Sequence, residues 1–390
     1  MPQPIDSRKA NPEDSASAFA AAEKSDLLGR SRDELRAMMT AIGEPAYRGV
    51  QLYHALYAER RFDFAEMSNL PAALREKLST QFRIGMPQIS QRFLSSDGSV
   101  RYLLSLAGAD AAGASGSPAQ VEAVFMPWEG RQTICISTQA GCAVECRFCL
   151  TAQLGLVRNL TAGEILAQVL LPLHDNRERL APRTNVVLMG QGEPLLNYEP
   201  VMAALRVMFD SNGLGLSARH VTLSTSGIVP GIERLGRERV RPRLAISLNA
   251  STDEERDAIM PINRKYPLET LLAACREYPL GTREYLTFEY VLLGGFNDSA
   301  EDARRVARLL AGMRVKVNLI PWNPGALPYR PPTAESLEEF REALTAKGVP
   351  AFVRYSRGQD VNAACGQLAL SNRGAAIAAS AEPPRIAPPA

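Results

Sequence analysis

The amino-acid sequence predicts an α/β fold, a partial (β/α)6 barrel preceded by a small helical domain and a β-hairpin extension. Three observations carry this expectation. Six short apolar runs, QTICIS, NVVLMG, HVTLST, RLAISL, LTFEYVLL and KVNLIPW, follow one another through the second part of the chain. Near-continuous apolar runs are what strands covered on both faces require. Between them lie amphipathic stretches such as AGEILAQVLLPL, DARRVARLLAGM and AESLEEFREALTAK, whose apolar positions recur at helical spacing. Alternating strands and helices build a parallel sheet covered by helices, and six units suit a partial barrel better than a closed eightfold one.

The elements follow in order. Residues 1–24 are rich in Ala, Ser and Pro and are expected to be disordered. Residues 25–90 read as a helical accessory domain, with SRDELRAMMTAIG, AYRGVQLYHALYAER and PAALREKLSTQF punctuated by Gly43, Pro45 and Pro71. Residues 91–130 read as a β-hairpin extension, VRYLLSLAG and QVEAVFMPW, joined by the flexible insert ADAAGASGSPA. The barrel and a catalytic C-terminal loop are assigned to 131–370, and 371–390 to a disordered tail.

Composition narrows the function classes. No apolar run reaches the roughly 18–20 residues that span a bilayer, and the polar N-terminus has no apolar signal core. The expectation is a cytoplasmic protein with no membrane partner. With 44 basic and 42 acidic residues, overall charge argues neither for nor against nucleic acid. An RNA surface would come from local arginine clusters. Four of the six cysteines, Cys135, Cys142, Cys146 and Cys149, fall close together. In a cytosolic chain that clustering points to metal or catalysis, not to a disulfide framework.

Cys142-Ala-Val-Glu-Cys146-Arg-Phe-Cys149 has the spacing C-x3-C-x2-C. Three thiolates on one loop can hold three irons of a [4Fe–4S] cubane and leave the fourth iron open. The open iron suits a chelating substrate such as S-adenosylmethionine (SAM). Zinc is the rival, but structural zinc takes four protein ligands in paired spacings, and His174 lies in an amphipathic helix. Gly190-Gln191-Gly192-Glu193-Pro194 follows the second strand and reads either as a tight βα turn or as a site for an ammonium group. Polar residues at the carboxyl ends of several strands, Ser224, Ser247, Asn249 and Asn323 among them, place the active site there. Cys135 and Cys365 read either as inert buried thiols or as reactive ones. Cys275 has the apolar phase of its helix and reads as core.

From about residue 25 to 370 the chain resembles the RlmN-type radical SAM RNA methyltransferases. The carrying stretches are SSDGSVRYLL, TICISTQAGCAVECRFCLTAQLGLVRNLTAGEI, NVVLMGQGEPLLNY, RHVTLSTSGIVPGIERL, LAISLNASTDEERDAIMPINRKY, FEYVLLGGFND, VNLIPWNP and RGQDVNAACGQL. The resemblance implies methylation of adenine C2 in 23S rRNA, at the peptidyl transferase centre, and in tRNA, next to the anticodon. It implies a [4Fe–4S] cluster on Cys142, Cys146 and Cys149, and consumption of two SAM per turnover. Cys365 matches the methyl carrier, Cys135 the resolving thiol that forms a transient disulfide with it, and Glu122 the proton acceptor. Gly192, Glu193, Ser224, Ser247, Leu248, Asn249 and Asn323 match SAM contacts. Asn249 stands where some relatives have histidine, and Gln191 where others have an apolar residue. The resemblance also implies a monomer reduced by flavodoxin or ferredoxin. Arg147, Arg158, Arg219, Arg264 and Arg357 are candidate phosphate contacts. The competing readings are a Cfr-like C8 methyltransferase, a radical SAM enzyme that methylates no RNA, and a non-catalytic RNA-binding module.

Overall fold

A computed structural model describes residues 24–106 and 118–370. The expectations for the two termini and for most of the ADAAGASGSPA insert lie outside these residues. The accessory domain consists of β1 (Ser25–Asp26), α1 (Arg32–Ala41), α2 (Tyr47–Tyr57), α3 (Ala72–Gln81) and β2 (Phe82–Arg83), with β1 and β2 paired in parallel. Helix α1 starts where Ser31 and Glu34 form a reciprocal capping box, satisfying two backbone N–H groups that a helix start leaves unpaired. Leu35, Met39, Leu52, Leu56, Leu74 and Leu78 of these helices form its buried side.

Three strands follow, β3 (Gln88–Leu94), β4 (Val100–Ser105) and β5 (Gln120–Trp128), and β5 turns back into β6 (Arg131–Cys135). All three are antiparallel to their neighbours. The expected hairpin extension is therefore not a separate unit, because its strands continue the sheet of the barrel. A small antiparallel pair, β7 (Gln139–Gly141) and β8 (Leu156–Asn159), brackets the cysteine loop.

The remaining elements alternate as expected: α4 (Ala162–Asp175), β9 (Arg183–Leu188), α5 (Tyr198–Phe209), β10 (Val221–Thr225), α6 (Val229–Gly236) and β11 (Arg243–Ser247). The alternation continues with α7 (Asp253–Ile259), α8 (Leu268–Glu277), β12 (Leu286–Leu292), α9 (Ala300–Leu309), β13 (Val315–Pro321), α10 (Ala334–Thr345) and β14 (Ala351–Val353). The sheet order is β14-β13-β12-β11-β10-β9-β6-β5-β4-β3. Strands β6 and β9 to β14 are mutually parallel, so the six expected strands are joined by a seventh, β14. The sheet is open, with β14 and β3 at its edges.

One apolar core runs from Leu35 and Leu56 in the accessory domain through Ile165 and Leu205 to Phe288 and Phe340. The accessory domain is thus fixed to the barrel, and Tyr53 of α2 donates to Asp210 after α5 at 3.2 Å. Asp175 at the end of α4 accepts from Arg92 at 2.8 and 3.0 Å and from Tyr102 at 2.7 Å, tying β3 and β4 to the same helix.

Candidate active site

The cysteine loop leaves β7 and is held from several sides. Cys142 N donates to Gly155 O at 3.0 Å, Arg147 N to Ile259 O at 2.9 Å, and Leu150 N to Gly366 O at 2.8 Å. Trp322 Nε1 donates to Phe148 O at 3.1 Å. An apolar rim of Met260, Leu293, Trp322 and Leu327 packs against Cys146, Phe148 and Leu150. Cys142, Cys146 and Cys149 all line a cavity of about 180 Å³ at the carboxyl ends of the strands.

The chemistry of this donor set fits a cluster. All six cysteines are free. Burial pushes the Cys142 thiol up to about 12 and raises Cys146 well above its ordinary value. The neighbouring thiols raise both further. Three adjacent thiolates in a low-dielectric pocket repel one another, and iron held there would supply the missing positive charge. Among the described residues no three His, Cys, Asp or Glu side chains converge on a single metal ion. A cubane needs no such convergence, because each sulfur takes its own iron.

The turn after β9 closes one wall. Gly192 has φ +98°, and a Cβ there would come within 2.7 Å of the Gln139 backbone nitrogen, so only glycine fits. Glu193 is buried, with Oε2 accepting from Ser226 N and Oγ, both at 2.7 Å, and Oε1 accepting from Leu195 N at 3.1 Å. Burial raises its carboxyl above the usual range, against the pull of the Ser226 hydrogen bonds.

Ser224, Ser247, Asn249 and Asn323 line the same cavity. Asn249 adopts φ +58°, a left-handed conformation that asparagine tolerates better than most residues. Its Oδ1 accepts from Val291 N at 2.8 Å, and its Nδ2 donates to Met260 Sδ at 3.2 Å. Leu248 is fully buried and does not line the wall. Its backbone N–H donates to Glu289 O at 3.0 Å.

Cys365 sits where this cavity meets a second groove of about 690 Å³. Its carbonyl accepts from Asn323 Nδ2 at 3.1 Å. Cys365 is exposed along the wall yet lies deep in the protein, and the surrounding matter pushes its thiol up to about 11, with Glu289 and Cys149 adding to the shift. Cys135, the last residue of β6, lines the second groove and packs with Val124, Ala363 and Leu368. Burial and then the Cys365 sulfur raise its thiol above the ordinary range. The fold thus brings together two thiols 230 positions apart in sequence, without a disulfide between them.

Glu122 on β5 lines neither cavity. It is fully buried in an ion pair with Arg101, and its Oε2 accepts from Leu370 N at 3.1 Å and Gln191 Nε2 at 3.3 Å. Two of the candidate phosphate contacts are also engaged internally. Arg158 forms a two-point pair with Glu164 at 2.6 and 2.8 Å, and Arg357 pairs with Asp97 at 3.0 Å. Cys275 is a core residue of α8, and His174 packs its ring edge-on against Phe62.

Two residues that the sequence did not single out shape the site. Arg256 is fully buried and donates to the carbonyls of Ser226 at 2.7 Å and of Ser247 and Leu248 at 3.1 Å. It braces the carboxyl ends of β10 and β11, and burial lowers its guanidinium to about 10. Glu289 borders both cavities and accepts from Asn318 at 2.9 Å. Nothing local in EERDAI or FEYVLL announces either role; each depends on what the fold packs around the charge.

The sequence model of the radical SAM superfamily matches residues 136–310, and that of the ribosomal RNA large subunit methyltransferase N-terminal domain matches 25–84. A probable dual-specificity RNA methyltransferase RlmN of Koribacter versatilis (strain Ellin345) is 47% identical over 349 residues, covering 85% of this chain and 97% of that protein. The chain belongs to the RlmN family. A dual-specificity RNA methyltransferase RlmN of Anaeromyxobacter dehalogenans (strain 2CP-C) is 45% identical over 352 residues, spanning 88% of this chain and 91% of its own length. The crystal structure of a radical SAM methyltransferase from Sphaerobacter thermophilus superposes with a TM-score of 0.82 at 42% identity. It covers 89% of this chain and 99% of that one. Both the accessory domain and the barrel therefore belong to the RlmN-family architecture.

Proposed function

We propose that this RlmN-family chain methylates C2 of adenine in 23S rRNA and tRNA, carrying the methyl group on Cys365. The observation that carries the reading is the position of Cys365. It opens both onto the cavity of the three loop thiols and onto the groove that holds Cys135. C2 of adenine is electron-poor and does not attack the SAM methyl group as a nucleophile. A cysteine thiolate does.

Cys142, Cys146 and Cys149 would hold the cluster, and Gly192, Glu193, Ser224, Ser247, Asn249 and Asn323 would surround SAM. When bound, the cluster supplies the electron that splits SAM and so the hydrogen-abstracting radical this chemistry needs. Leu248 would act through the backbone alone. Asn323 holds the Cys365 carbonyl and so orients the carrier thiol. Cys135 would attack the Cys365 sulfur, forming a transient disulfide as the sulfur–carbon bond to the product breaks, and an external thiol reductant would restore both thiols. Glu122 would take the C2 proton, and since Leu370 N–H now occupies its carboxylate, that role requires the end of the C-terminal loop to move. Among the described residues no helix is long and apolar enough to cross a membrane, and the reading is completed by a cytoplasmic monomer reduced by flavodoxin or ferredoxin.

The test is mass spectrometry of digested RNA from cells lacking the protein. Loss of 2-methyladenosine with 8-methyladenosine unaffected is the expected result. Loss of 8-methyladenosine instead would transfer the assignment to C8 chemistry, and no change in either would refute both.

A further inference from the structure

We infer that Glu289 is the general base of the methyl-loading step, taking the proton of Cys365 before its sulfur accepts the methyl group. The inference rests on the proposed carrier role of Cys365 and names the residue that makes that thiol a nucleophile.

A carboxylate in the middle of the apolar strand LTFEYVL is costly, because desolvating a charge loses free energy that packing does not return. The ladders place Glu289 between Ser247 of β11 and Asn318 of β13. It is 8% exposed, and Oε1 accepts from Asn318 Nδ2 at 2.9 Å. Among the described residues Oε2 accepts no hydrogen bond, yet it is not sealed in. The two other buried carboxylates near the site have both oxygens engaged. Glu193 is held by Ser226 and Leu195, and Glu122 by Arg101, Leu370 and Gln191. Of the three, Glu289 alone keeps an oxygen free.

Position decides what that oxygen can reach. Among the described residues that line both cavities, three titrate: Cys149, Glu289 and Cys365. With Cys149 assigned to iron, one carboxylate is left beside the carrier thiol. After burial, the Glu289 charge is the strongest influence raising that thiol, so the two groups act on one another across the junction. Cys135 borders the second groove but not the cavity of the loop thiols, and so lies off the side from which SAM would present its methyl group.

The surroundings suit Glu289 to the task. Burial raises its carboxyl above the usual range and so strengthens it as a proton acceptor. The Asn318 bond, then Lys316 and Arg354, favour the ionised form that can accept. Charged and titratable groups share its walls from every side. Lys316 comes from β13, Arg354 from just after β14, Arg243 from the start of β11, Glu193 from the turn after β9, and Cys149 and Cys365 from the two loops. The step balances without any oxidant or reductant. Glu289 takes the Sγ proton of Cys365, by a turn of the thiol or through one water. The sulfur lone pair forms the bond to the methyl carbon as the sulfonium–methyl bond of SAM breaks. S-adenosylhomocysteine leaves, and the proton passes from Glu289 to water in the groove.

The test isolates this step. Full-length protein from iron-limited cells is loaded with its cluster anaerobically and given SAM with a trideuterated methyl group, without reductant or RNA. Peptide mass spectrometry follows the label on Cys365 from about pH 6 to 9, with rates taken per cluster-loaded molecule. Isothermal titration gives the affinity of each variant for S-adenosylhomocysteine. Glu289→Gln keeps the volume and the Asn318 partner but cannot take the proton. It is expected to label Cys365 about a hundredfold more slowly at neutral pH, the lower end of a general-base effect. Its rate should climb about tenfold per pH unit as the thiol ionises unaided, while the wild type levels off. Glu289→Asp restores an acceptor and should recover about tenfold over Gln. Both variants should bind S-adenosylhomocysteine within about threefold of the wild type, since the base is not needed for binding. A Gln variant that labels as fast as the wild type overturns the inference. So does a slow Gln variant with the wild type's pH profile, because Glu289 would then act on structure alone. A wild type that leaves Cys365 unlabelled refutes the carrier reading and this inference with it, whereas a labelled wild type beside an unimpaired Gln variant refutes this inference only.

Discussion

At the scale of single residues, the two remote thiols differ in surroundings as they would differ in role. Cys365 is exposed at the junction of two cavities, while Cys135 is packed beneath Val124, Ala363 and Leu368. The order of chemical events makes them separable. Cys365→Ala should yield neither methylated protein nor a protein–RNA adduct. Cys135→Ala should still be methylated at Cys365 and stall as a covalent adduct through it. Peptide mass spectrometry of each variant after nuclease digestion checks this, and equal adduct in both would show the roles to be misassigned. The loop thiols were readable in the sequence because their spacing is local. The pairing of Cys135 with Cys365 was readable only through resemblance, and the bracing by Arg256 not at all, because its cause is a ring of carbonyls drawn from β10 and β11.

At the scale of elements, the C-terminal loop is the part whose position decides what Cys365 faces. It is fastened to the turn between β3 and β4. Asp97 accepts from Arg357 Nε at 3.0 Å and Gly358 N at 3.1 Å, and Asp360 accepts from Ser95 at 2.6 Å and Ser96 N at 2.9 Å. Burial disfavours the charged Asp97, but the bonds from Ser99, Arg357 and Gly358 outweigh it and hold the carboxyl well below its ordinary value. A depressed folded value means that this stabilisation is complete above the unfolded value of about 3.9. It is lost only as pH falls through the folded value. Trypsin cleavage within residues 354–357, taken relative to cleavage of an unstructured peptide at the same pH, should therefore be equally slow from about pH 6 to 8 in the wild type, since this anchor does not titrate there. Asp97→Asn should raise it at least fivefold at neutral pH; an unchanged rate would mean that the loop is held by other contacts. The anchoring turn was not legible in advance, because its partners lie about 260 positions apart. Strand β14 escaped for a different reason. It is three residues long with Phe352 exposed, and so its apolar run is too short to read as a strand. The six longer strands were legible because short apolar stretches alternate with amphipathic helices, although every second residue of β10 and β13 is only half-buried.

At the scale of the whole molecule, the alternation of strands and helices foretold the barrel, but not how the accessory domain is seated on it. That joint is a backbone contact between two glycines. A Cβ on Gly163, in the first turn of α4, would lie 2.6 Å from Leu28 O, and one on Gly29 would lie 2.4 Å from Gly163 N. Such approach leaves no space for a side chain, and the sequence shows only two ordinary glycines. The same first turn is capped by Thr161 and Glu164, and Glu164 also pairs with Arg158 of β8. Displacement there would thus reach both the accessory domain and the strand pair that brackets the cysteine loop. Gly163→Val should force the two backbones apart at a cost of about 1–3 kcal/mol, the range for overpacking a close contact. Cluster content should stay near that of the wild type, because the loop's own bonds to Gly155, Ile259 and Gly366 are untouched. Thermal unfolding should fall by several degrees, and small-angle scattering should show an enlarged radius of gyration as the accessory domain loosens. If the joint instead yields by a local shift of α4 alone, stability will fall while the radius stays unchanged, and the view that this contact seats the domain would be wrong.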